Sequence, residues 1–151
     1  MWIRTAPTRP RSTGIRRLCG PETVGEITRL LALRAEVTVA ILYGSVLTER
    51  FADHSDVDLA VAADHELSYD DLFSISDELG GAVAREVQVR DLHRLQGRKL
   101  REVLIEGRVI KNEDPELFGR RIADMLDFTE DWLPSVRMIQ EAAIRNFAYD
   151  E

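Results

Sequence analysis

The chain has 151 residues and a mass of 17.2 kDa, enough for one domain and too little for two ordinary cores. Its 44% hydrophobic and 31% charged residues exclude wholesale disorder. No apolar run approaches the ~20 residues of a membrane span. The single cysteine, Cys19, excludes an internal disulfide framework and fits a reducing cytoplasm. A net charge of −7 repels nucleic acid in bulk, so neither a direct nucleic-acid partner nor a membrane is expected.

Residues 1–20 hold Arg4, Arg9, Arg11, Arg16 and Arg17 and no acid, together with Pro7 and Pro10. They read as a flexible basic arm, and 21–151 as the folded domain. Val24, Ile27, Leu30 and Leu31 then give helical spacing from a start at Pro21-Glu22. Residues 37–43 are β-branched and apolar on both faces, as a buried strand requires, and they stop at Gly44-Ser45. A second strand covers 56–62, with Val57, Leu59 and Val61 on one face and Asp56 and Asp58 on the other. Ser68-Tyr69-Asp70-Asp71 reads as a capping box that opens a helix with Leu72, Ile75, Leu79 and Val83 on its buried stripe. Gly80-Gly81 reads as the end of that helix.

The third strand is expected over 86–90, with Val87 and Val89 inward and Glu86, Gln88 and Arg90 on the opposite face. Helical spacing resumes over 92–104, Gly107 breaks it, and a short strand follows at 108–111. From about Glu116 the chain is helical to its end, with a kink or split expected at Pro134. Its aromatic residues, Phe118, Phe128, Trp132 and Phe147, are chiefly core but can also present a stripe to a helical partner. The sum is an α/β domain with one mixed sheet, helices mainly on one side, and carboxylates on the other face.

The chemistry concentrates in Gly44-Ser45, ten residues, then Asp56-Val57-Asp58. In a chain of this composition the pattern arises by chance about 0.003 times. A glycine straight after a buried strand lets the backbone turn and approach a ligand with no Cβ in the way. Ser45 is expected to open a short helix over 46–50, whose free N–H groups suit a phosphate. Asp56 and Asp58 are two apart on a strand, so both carboxylates leave one face, ~6–7 Å apart along the backbone. Two hard oxygen ligands facing a phosphate cradle suit Mg²⁺ bound to a triphosphate.

At these residues the chain resembles a known family. Tyr43-Gly44-Ser45 and Ser55-Asp56-Val57-Asp58-Leu59-Ala60-Val61 are similar to the signature of the DNA-polymerase-β-like nucleotidyltransferases, within them the minimal nucleotidyltransferases (MNT). The resemblance covers most of 22–147 and is greatest to MntA-type antitoxins of the HEPN/MNT type VII toxin–antitoxin systems. It implies a polymerase-β-palm-like fold with a long C-terminal helix. It also implies an Mg²⁺-dependent transfer of AMP from ATP to a tyrosine of a partner HEPN ribonuclease toxin. On that reading Gly44 and Ser45 bind the nucleotide, and Asp56 and Asp58 are the metal-binding and catalytic pair.

The chain departs from the family at one position. Family members usually place a third carboxylate on the next strand, where alternation here puts Gln88. An amide adds no charge to a metal and cannot act as a general base. Glu86, one pleat away, is the candidate to replace it, and Arg90 on the same face is a candidate phosphate contact. The alternatives are therefore a slowed transferase and a degraded antitoxin that neutralises its toxin by binding alone. A third reading, a nucleotidyltransferase acting on a small molecule or a tRNA end, is disfavoured in its tRNA form by the acidic charge. His54 reads as a solvated loop histidine and the Asp127/Glu130/Asp131 group as a solvated helix face; His65 and His93 stand alone, and no Cys/His spacing suggests zinc.

Overall fold

A computed structural model describes residues 18–131 and 133–149. The expected arm therefore lies outside the described residues except for Leu18–Gly20, as do Trp132 and the side chain of Phe147. Within that stretch Cys19 is ordered. It stands at the N-terminus of α1 (Gly20–Ala32), where its backbone N–H donates to Glu22 Oε1 at 2.9 Å. The remaining elements are β1 (Val39–Tyr43), β2 (Val57–Ala62), α2 (Tyr69–Val83), β3 (Val87–Asp91), α3 (Gly97–Arg101), β4 (Arg108–Asn112), α4 (Pro115–Asp131) and α5 (Leu133–Tyr149).

The sheet order is β3-β2-β1-β4. β1 pairs antiparallel with β2 and with β4, while β2 and β3 run parallel. A parallel pair needs a crossover, and α2 provides it. Ser68 caps that helix as expected: its Oγ accepts from Asp71 N–H, and Asp71 returns the bond to Ser68 N–H, both at 3.1 Å. Gly80 and Gly81 do not end the helix, which runs on to Val83 and stops at Ala84 in the left-handed region (φ 56°). Gly80 instead allows close packing, because a Cβ there would sit 2.8 Å from the Arg85 carbonyl oxygen.

Helices cover both faces of the sheet, which corrects the expectation of one covered face. α1 and α2 pack Ile27, Leu31, Ile75 and Leu79 on Val57, Leu59 and Val61. On the other face Val39, Ile41, Ala60 and Ala62 meet Leu92, Leu100, Val103, Leu117 and Met125. The alanines of β2 have small side chains, so the second layer of helices can approach closely; the Asp58 end of that face, with the exposed Gln88 and Arg90 of β3 beside it, is left polar. This double cover explains why every residue of β1 is buried.

The helical spacing over 92–104 is broken into three pieces: a 3₁₀ turn (Leu92–Arg94), α3, and a π turn (Glu102–Glu106). Gly97 makes the entry to α3 with a φ of +60°. The C-terminal segment is helical on both sides of residue 132, as α4 and α5; the kink or split expected at Pro134 turns on Trp132, which lies outside the described residues. No helix among the described residues is long and apolar enough to cross a membrane.

Two glycines test this packing with opposite signs. A Cβ on Gly107 would lie 2.6 Å from Ile41 Cγ2 and 2.9 Å from the Leu42 carbonyl oxygen, whereas one on Gly81 meets nothing within 4 Å. Urea unfolding is expected to show Gly107→Ala destabilised by about 1–3 kcal/mol. Gly81→Ala should be stabilised by about 1 kcal/mol, since alanine is the better helix former.

Candidate active site

β1 ends at Tyr43, and Gly44 turns the chain with a φ of +83°. That backbone favours glycine, and an added Cβ would lie 2.7 Å from Asp58 Oδ2 and displace the carboxylate. Tyr43 pairs with Asp58 across the antiparallel β1–β2 ladder, which puts the Gly44-Ser45 turn beside that carboxylate. The expected helix over 46–50 is shorter than predicted, a single 3₁₀ turn over Gly44–Leu47 that closes with Thr48 N–H donating to the Ser45 carbonyl at 2.9 Å. Any phosphate contact here therefore rests on local N–H groups, not on a helix dipole.

The return loop is held by Arg85. Its guanidinium donates to the carbonyls of Ala52, Ser55 (3.0 Å) and Leu18 (3.0 Å), and it stacks 3.9 Å over the Phe51 ring. Asp56 leaves this loop one residue ahead of β2. Parallel pairing sets Gln88 opposite Asp58, and Gln88 Nε2 donates to Asp56 Oδ2 at 3.4 Å. The structure thus brings Gly44, Asp56, Asp58 and Gln88 together, with Gln88 facing the carboxylate pair as alternation predicts. Glu86 does not complete a cluster, because among the described residues no three His, Cys, Asp or Glu side chains meet to hold a metal. The donor set that remains is two carboxylates beside a glycine turn, which fits one hard divalent cation shared with a phosphate ligand.

The charges around Asp58 include residues that periodicity did not reveal. Burial pushes the Asp58 carboxyl above its usual range, and Asp56 and Glu102 push the same way, while Lys99 and Arg90 oppose them. The Tyr43 phenol is raised as well, by burial first and then by Asp58, with Arg90 opposing. Lys99 Nζ stands 5.6 Å from the centroid of the Tyr43 ring and pairs with Glu102 at 3.0 Å. Glu102 and Glu106 belong to the π turn and share with Gly44, Ser45, Thr48 and Arg50 a cleft of about 520 Å³. No local pattern announces a π turn. The one available signal was composition, since only two of the 20 basic residues are lysines, Lys99 and Lys111.

The expected histidines have other partners: His65 pairs with Asp64, and His93 Nε2 lies 2.9 Å from the Ala63 carbonyl oxygen.

The raised Asp58 carboxyl has a consequence for stability. The folded state binds this proton more tightly than the unfolded chain does. Stability attributable to Asp58 therefore falls as pH rises from the ordinary carboxylate range through the higher folded value. In metal-free buffer Asp58→Asn is expected to raise the thermal midpoint at pH 7, with the gain shrinking as pH approaches 4. An unchanged or lower midpoint at pH 7 contradicts this.

Among solved structures the chain is similar to the complex of a tri-AMPylated Shewanella oneidensis HEPN toxin with an MNT antitoxin. That match has a TM-score of 0.62 and 17% identity, and covers 83% of this chain and 98% of that one. A toxin–antitoxin MntA–HepT structure matches with a TM-score of 0.61 and 16% identity, over 81% and 97% of the two chains. A toxin–antitoxin structure with AMP-PNP matches with a TM-score of 0.60 and 17% identity, over 83% and 98%. These likenesses share the fold. A comparison with curated proteins by sequence finds no match. Residues 25–116, more than half of the chain and the whole of the Gly44–Asp58 site, match the Polymerase beta, Nucleotidyltransferase family, and the chain belongs to that family.

Proposed function

We propose that this chain is a cytoplasmic antitoxin that transfers AMP from ATP to a tyrosine of a partner HEPN toxin and so neutralises it. The observation that carries the reading is the approach of the Gly44 turn to Asp58, with Asp56 and Gln88 beside it, in a fold shared with toxin–antitoxin complexes, one of them AMPylated. Asp56 and Asp58 would hold Mg²⁺, which when bound supplies positive charge to the triphosphate. Gly44 and Ser45 would cradle the β- and γ-phosphates and leave the α-phosphorus over the carboxylate pair. The tyrosine oxygen attacks that phosphorus, and the bond from it to the oxygen bridging to the β-phosphate breaks. Pyrophosphate leaves with the electron pair, and the phenolic proton passes to water. A phenol, with a reference pKa of ~10, loses its proton more readily than an aliphatic hydroxyl. It therefore suits a site in which Gln88 replaces a possible general base. The apolar side chains that α5 leaves exposed, Met138, Ile139 and Ile144, support a protein partner for this surface.

Gln88 and the lack of a three-carboxylate cluster among the described residues favour a second reading, neutralisation by binding alone. Incubation with α-labelled ATP, Mg²⁺ and the HEPN partner separates the two. Transfer of label that falls at least about 100-fold in Asp56→Ala and Asp58→Ala is the expected result. Tight association without label supports the second reading.

A further inference from the structure

Gln88 takes one negative charge from the site, and its amide donates to Asp56 Oδ2, an oxygen otherwise open to a cation. A nucleotide arriving here brings several negative charges to two carboxylates, more than one divalent cation offsets, so a cationic side chain nearby has a part to play. Arg90 and Lys99 are the cations that act on Asp58, and Lys99 acts more strongly.

The position of Lys99 suits it for this task. The short helix α3 carries it, braced at Gly97 by the Phe128 ring of α4, 3.6 Å from where a Cβ would stand. Its stem runs past Tyr43, the residue that leads into the Gly44 turn, and its ammonium is 5.6 Å from that ring's centroid. Its ion pair with Glu102, at 3.0 Å, joins two half-exposed side chains three residues apart. Pairs of this kind contribute about 0–1 kcal/mol and exchange readily. Glu102 in turn lines the cleft that contains Gly44 and Ser45, so the ion pair holds the ammonium beside a residue of that cleft. The chain's other lysine, Lys111, is committed to a structural role, donating to the carbonyls of Leu31 (2.8 Å) and Arg34 (2.9 Å) at the end of α1.

We propose that Lys99 is a catalytic residue of this site: its ammonium leaves Glu102 for the α-phosphate of a nucleotide held at Gly44, Ser45, Asp56 and Asp58, supplying charge that Gln88 prevents a metal cluster from providing. The inference rests on the transfer reading above and assigns it a residue. Lys99 stays protonated throughout; it stabilises the negative charge that grows on the α-phosphate oxygens as the tyrosine oxygen bonds and pyrophosphate departs. Glu102 restrains the ammonium until the nucleotide competes for it.

The test uses the full chain with Mg²⁺, reading AMP-PNP affinity by calorimetry and label transfer from ATP to the partner toxin. Lys99→Met keeps the apolar stem beside Tyr43, and Lys99→Arg keeps the charge. Lys99→Met is expected to weaken AMP-PNP by about tenfold and to slow transfer by about 100-fold. Lys99→Arg should recover most of both losses, and Glu102→Gln should tighten AMP-PNP by releasing the ammonium. Thermal midpoints within a few degrees of the parent separate these effects from unfolding. Wild-type affinity and transfer in Lys99→Met overturn the proposal. A parent protein that binds AMP-PNP but labels no partner defeats the transfer reading, while the affinity series still decides the contact with Lys99. A parent that does not bind AMP-PNP overturns both.

Discussion

The site depends on one close approach, that of the Gly44 backbone to the Asp58 carboxylate. A Cβ at Gly44 would stand 2.7 Å from Asp58 Oδ2, and the backbone there has a φ of +83°. The positive φ strains any residue with a Cβ, and the close contact would push the Asp58 carboxylate aside. The approach follows from the sheet, since antiparallel pairing sets Tyr43 against Asp58 and the chain must turn at once. A carboxylate and a glycine turn are thereby fixed side by side before any ligand arrives. Such preorganisation is what phosphoryl chemistry asks of a protein, because most of its catalysis is positioning and electrostatics.

Much of this was legible in the sequence because it depends on short-range rules. The Gly44-Ser45 turn after a buried strand, the shared face of Asp56 and Asp58, and Gln88 facing them all follow from the two-residue period of strands. The capping box at Ser68 follows from local hydrogen bonding. Where the reading failed, tertiary packing overrode local preference. Gly80 sits inside α2 because Arg85 packs against it, and the second sheet face is covered because Ala60 and Ala62 are small enough to admit another helix layer. The interrupted helical segment over 92–106 has the spacing of a continuous helix, and only its packing reveals Lys99 and Glu102 as neighbours of Asp58.

The electrostatics of the site differ from those of a three-carboxylate cluster. Two aspartates and Glu102 face Arg90 and Lys99, and Gln88 is neutral. Low local polarity around Asp58 and Tyr43 strengthens every one of these interactions relative to water. It also costs stability, as expected where function arranges like charges and buries a carboxylate.

The most direct measurement is anomalous diffraction from Mn²⁺ in crystals grown with AMP-PNP. The account predicts a manganese ion coordinated by both Asp56 and Asp58, bridged to phosphates that lie against the Gly44-Ser45 turn. Manganese bound to the phosphates alone, with the two aspartates turned away from them, would contradict it.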